Sequence, residues 1–102
     1  MRTDTKHPRP CWNARRRELV FSSVRVKVFR KYARNQELLL GAFEESGWAE
    51  EIDDPLPHSL DIIPEERLRE AVKRLNRSVA AGTIRFGVCG KGRRAYWRIE
   101  ER

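Results

Sequence analysis

The sequence predicts one small α+β domain, and three observations carry that prediction. Val24, Val26 and Val28 alternate with Arg25 and Lys27, the period of a half-buried strand. Leu68, Val72, Leu75 and Val79 then recur at intervals of four, three and four, the apolar stripe of a helix. Alternation returns in "TIRFGV" and "RAYWRI", on either side of the glycine-containing "CGKG". A chain of 102 residues has room for a single modest core.

Taken in order, residues 1–11 hold almost nothing apolar to bury, and read as a disordered tail ahead of a domain over 12–102. Trp12 is the first residue expected in the core. "RELVF" and "VRVKVF" flank Ser22-Ser23 and read as a β-hairpin. Asn35 suits the N-cap of a helix through "QELLLGAFEES", in which Leu39, Leu40 and Phe43 share a face. Gly47 suits its C-terminal cap. The acidic, proline-containing stretch 49–63 has no sustained period and reads as a loop docked through Ile52, Leu56 and Leu60.

Pro64 occupies a good first-turn position, and Glu65 and Glu66 suit the positive helix N-terminus. The second helix therefore runs from 64 to about 79. Its outer side carries Arg69, Lys73, Asn76 and Arg77, flanked by Arg67 and Arg74. Gly82 ends it. In the C-terminal hairpin Ile84, Phe86 and Val88, with Ala95, Trp97 and Ile99, are expected to meet the core. Arg85, Lys91, Arg93, Arg94 and Arg98 fall to the tip and outer side. No segment repeats.

The formal net charge is +7, which favours an anionic partner. Its distribution says more. Met1 to Phe43 holds eleven Lys or Arg against three acids; Glu44 to Glu66 holds nine acids and no Lys or Arg. Arg67 to Arg98 holds ten Lys or Arg and one acid, Glu70. Positive charge thus sits on the helix and hairpin that would form a binding surface. The two cysteines, Cys11 and Cys89, make no disulfide framework and are expected as reduced thiols. No apolar run approaches the roughly 18 residues of a membrane helix. The first residues carry no signal-peptide hydrophobic region, so a cytoplasmic protein without membrane association is expected.

Lys and Arg on one face bind phosphate and release counterions, and Arg and Asn read guanine and adenine edges. Lys91, Arg93 and Arg94 crowd one turn, where an anion would relieve their repulsion. The plain alternative is a solvated face. Of the aromatic residues, alternation sends Trp97 inward and Tyr96 outward, which leaves Tyr96 as the candidate for stacking on a base. His7, Cys11, His58 and Cys89 form no paired zinc pattern, and Asp53-Asp54 has no nucleophile or third ligand beside it. No metal, cofactor or catalytic residue is therefore assigned. The acidic segment 49–63 could fold against the basic face or dock a protein partner.

A short N-terminal sheet, a helix, a long helix with a basic outer face and a C-terminal hairpin resemble the winged-helix output domain of OmpR-type response regulators. The resemblance covers about residues 12 to 99. It rests on Leu68, Val72 and Leu75-Asn76 in the long helix, and on Ile84-Arg85 with Gly90-Lys91-Gly92 after it. It implies that Arg69, Lys73, Asn76 and Arg77 face the DNA major groove, while Lys91, Arg93 and Arg94 form the wing tip with Arg85 nearby. Three departures stand out: no helix is legible in the acidic stretch between Gly47 and Pro64, Glu66 stands where the family has an Arg before the first apolar helix position, and "GRRAYW" replaces the family's glycine-tyrosine ending. The strings "NQELLLGAFEESGW", "IDDPLP" and "VKRLNRS" also resemble a family of short bacterial proteins with no assigned function. The expectation is a winged-helix-like, non-enzymatic protein that binds double-stranded DNA and regulates transcription. The alternative is a protein-interaction module on the same scaffold without DNA binding.

Overall fold

A computed structural model describes residues 9–58, 60–77, 79–80 and 82–100. Most of the expected tail lies outside them. Its last residues do not behave as a tail, because Pro10 is buried and Cys11 opens the first strand. Strands β1 (Cys11–Asn13), β2 (Glu18–Phe21) and β3 (Val24–Val28) form an antiparallel sheet in that order. Helix α1 (Arg34–Glu45) follows, then β4 (Glu51–Asp53), helix α2 (Pro64–Arg77) and the hairpin β5 (Ile84–Cys89) and β6 (Arg94–Ile99). The second antiparallel sheet has the order β4-β6-β5. The chain is thus α+β, with two helices and two three-stranded antiparallel sheets.

Ser22 and Ser23 make the expected hairpin turn, both with positive φ, as a two-residue turn matched to strand twist requires. The valine alternation does not hold. Leu19 pairs with Lys27 and Val20 with Arg25, so Val26 is an extra residue, a β-bulge. Lys27 consequently lies opposite the fully buried Leu19 and is itself buried, whereas Val24 and Val28 are about half exposed.

Helix α1 begins one residue before Asn35, with Ala33 at the N-cap and no side-chain cap on that residue. The Glu37 carboxylate instead accepts the Ala33 N–H at 3.0 Å. Glu37 also accepts hydrogen bonds from Nε and Nη2 along one edge of the Arg17 guanidinium, the shortest being 2.7 Å, and so joins the β1–β2 turn to the helix. These hydrogen bonds hold the Arg17 guanidinium more firmly protonated than usual.

The other end of α1 is closed by Gly47, with φ +74°. The Gly47 N–H donates to the Glu44 carbonyl at 3.1 Å and the Trp48 N–H to the Phe43 carbonyl at 2.8 Å, the two bonds of a Schellman cap. The apolar contact that accompanies such a cap is the stacking of Trp48 on Phe43, at 5.2 Å and 7°. Trp48 also meets Trp97 edge-on at 5.8 Å and lies 6.4 Å from Phe86. The Glu44 carboxylate accepts both the Trp48 indole N–H and the Trp12 backbone N–H, each at 2.8 Å. One corner therefore ties β1, α1 and the second sheet together.

The acidic segment is not all loop. Residues Glu51–Asp53 pair with Arg94–Tyr96 as a third strand beside the C-terminal hairpin. Ile52 and Leu56 dock in the core as expected, but Leu60 is fully exposed. Helix α2 buries Leu68, Ala71, Val72 and Leu75, and it ends at Arg77, so that Val79 enters the core just beyond it. In the hairpin Ile84, Phe86 and Ala95 are buried, Val88 and Trp97 half-buried, and Ile99 rather exposed at the open end.

Truncating the corner should cost heavily, because a buried aromatic ring leaves both a cavity and lost contacts. Trp48→Ala is expected to lower unfolding stability by about 3–5 kcal/mol, read from urea titration. A loss below about 1 kcal/mol would show that the corner is not a main support of the fold.

Candidate nucleic-acid interface

Arg69, Lys73 and Arg77 lie four residues apart on α2 and are all exposed. At 1.5 Å per residue they form a row about 12 Å long. Among the described residues none of the three makes an ion pair. Glu70 lies beside the row and pairs with Arg74 at 2.7 Å, which holds the Glu70 carboxyl below its usual range, with Lys73 and Arg77 adding to the effect.

Asn76 does not join the row. Its side-chain amide donates to the Phe86 carbonyl at 2.9 Å and accepts the Phe86 N–H at 3.0 Å. Both groups of the amide are thereby committed to β5, and the residue that was expected to read a base edge clamps α2 to the hairpin instead. Arg85 is similarly engaged. It donates to the Asn76 backbone carbonyl at 3.1 Å and to Glu100 at 3.3 Å.

The tip of the hairpin corrects another expectation. Gly90, Lys91 and Gly92 all have positive φ, and the turn folds so closely over the start of α2 that a Cβ on Gly92 would sit 3.0 Å from the Glu65 side chain. Arg93 then faces Glu65 at 3.4 Å. Arg94 pairs with Asp53 at 2.6 Å and Glu51 at 3.1 Å, both from the strand alongside. The repulsion expected among Lys91, Arg93 and Arg94 is therefore largely answered within the fold. Lys91 alone of these three makes no ion pair among the described residues, and it is exposed.

The Tyr96 ring lies against Gly87, where a Cβ would fall 2.2 Å from its Cζ, and the Arg98 guanidinium lies 5.9 Å from the ring centre. Cys89 is half-buried and Cys11 exposed, and both are free. Desolvation, with Glu51 nearby, pushes the Cys89 thiol above its ordinary pKa.

Two further cations were not assigned from sequence. Arg30 and Lys31, in the β3–α1 connection, are exposed beside Arg74 and Arg77 of α2. The Ala80 N–H donates to the Val26 carbonyl at 3.2 Å, which brings the chain leaving α2 against β3. Nothing in the local sequence signals this meeting, since the residues are more than forty positions apart. Among the described residues no three His, Cys, Asp or Glu side chains gather to hold a metal, and no helix is long and apolar enough to cross a membrane. Comparison with protein-family models, with curated proteins and with solved structures gave no match.

Replacing Asn76 by Ala would strand the Phe86 N–H and carbonyl. Asn76→Ala should lower stability by about 1–3 kcal/mol in urea titration, and a neutral result would return Asn76 to the exposed face. The thiols should separate kinetically, because the thiolate is the reactive form. Mass spectrometry after limiting iodoacetamide at pH 8 should find Cys11 alkylated before Cys89, and the reverse order would contradict the assigned environments.

Proposed function

We propose that the chain is a non-enzymatic nucleic-acid-binding protein with a winged-helix-like architecture, and that double-stranded DNA is its ligand. The observation that carries this reading is the exposed row Arg69, Lys73 and Arg77. It gives three cations on one helix face with no acid paired to them among the described residues. A helix of this width fits a major groove, and its charges neutralise phosphates at the groove walls. The order of N-terminal sheet, helix, basic helix and C-terminal hairpin supports the architectural reading. A role in transcription is the expected use of such a protein.

The surface differs from the one expected. Arg85, Arg93 and Arg94 are engaged with acids or backbone, and Asn76 with β5, so the helix row and Lys91 carry the interaction. The acidic strand β4 restrains the hairpin rather than the helix.

A second reading, a protein-interaction module, has its own observation. Leu60, Ile62, Ile63 and Tyr32 are exposed, and Tyr32 and Ile62 line a groove of about 740 Å³ between the start of α1 and the side of α2. Two exposed apolar side chains on a groove, with others exposed nearby in sequence, suit a protein partner.

Fluorescence anisotropy of a labelled mixed-sequence duplex, titrated at low and near-physiological salt, separates the two. Binding should be tight at low salt and weaken steeply as salt rises. Lys73→Glu should abolish it, and Arg94→Gln should change it less than threefold. No binding at low salt would refute the nucleic-acid reading and favour the protein partner.

A further inference from the structure

The β3–α1 connection and the last turns of α2 flank an open, shallow crevice of about 310 Å³. Lys27, Arg30, Lys31, Arg74 and Arg77 line it with Val28, Phe29 and Gln36, and no acidic side chain does. Such a concentration calls for a reason beyond folding. Arg74 and Arg77 are accounted for by the negative C-terminal end of α2. That dipole does not account for Arg30 and Lys31, which come from another element and are brought beside the same helix end. Their approach adds repulsion that an anion in the crevice would remove.

The crevice also has a polar floor. Gln36 lines it, with its Oε1 fully buried and without a hydrogen-bond partner among the described residues. Lys27 lies on the floor, 8% exposed, with its ammonium 5.0 Å from the Phe29 ring centre. Burial lowers its pKa, as expected for a cation held partly out of water. Arg77 belongs to both the crevice and the α2 row, so the two surfaces are continuous.

We propose that this crevice holds the phosphodiester backbone of a nucleic acid, with Arg30, Lys31 and Arg77 neutralising successive phosphates of the strand that runs past α2. The assignment rests on the nucleic-acid reading above and extends it to the N-terminal half of the chain. It makes the protein grip its ligand at the junction of the first sheet and α2, at the opposite end of the helix from the hairpin tip.

The test is the salt dependence of duplex binding for Arg30→Gln/Lys31→Gln, with Arg25→Gln/Arg98→Gln as a control. The control removes the same charge from exposed cations outside the crevice. Each phosphate contact contributes about 0.9 to the slope of log affinity against log salt. Loss of two contacts should make the slope shallower by about 1.8 in the crevice variant and leave it unchanged in the control. Equal slopes in the two variants would overturn the crevice and leave the function intact. If the wild-type chain binds no duplex, calorimetry with inorganic tripolyphosphate decides the crevice separately. Binding lost in the crevice variant but kept in the control would retain an anion site without the nucleic-acid reading. No binding by wild type would overturn both.

Discussion

The stack of Trp48 on Phe43 is the contact on which the rest of the arrangement depends. It closes α1, because the Schellman bonds that end the helix place these two rings in register. It also starts the second sheet. The carbonyls of Trp48 and Ala49 accept the Trp97 indole N–H, and the Glu50 carbonyl accepts the Trp97 backbone N–H. That sets the entry of β4 beside β6. Glu44 brings Trp12, and with it the first sheet, to the same corner. A buried aromatic pair gains about 0.5–1.5 kcal/mol beyond its area, but here its position matters more than its strength.

With that corner fixed, the charges sort into two populations. Arg85, Arg93 and Arg94 of the hairpin meet acids carried by β4, by the start of α2 and by Glu100, while the α2 row and the β3–α1 connection make no ion pair among the described residues. Exposed pairs of this kind contribute at most about 1 kcal/mol each to stability. Their larger effect is on the external field. They leave the hairpin side close to neutral and concentrate positive potential along α2 and toward the first sheet. The proposed binding surface is thus defined as much by where acids cancel arginines as by where arginines occur.

Much of this was legible in the chain. Helix α2 was clear because its stripe spans about three turns, and the two hairpins because alternation resumes on either side of a turn. The three-residue β4 was not, since so short a strand shows no period and its pairing comes from β6, some forty residues on. The bulge at Val26 was equally hidden: alternation in sequence cannot reveal that two residues oppose one. Asn76 is next to the stripe on the helix wheel, and only the position of β5 decides that its amide turns inward. Charge counting found the cations and could not find their partners, because Arg94 meets Asp53 and Glu51 across 41 and 43 residues.

The strand order also leaves β4 outermost in its sheet, where an unpaired backbone edge is an invitation for another chain to add itself. This edge is poorly suited to that. It is three residues long, two of them acidic, and Pro55 and Pro57 follow almost at once. A strand laid against it would meet like charge from a second copy and would run out of donors after one or two bonds. The same glutamate and aspartate that hold Arg94 therefore make this edge a poor template for edge-to-edge stacking.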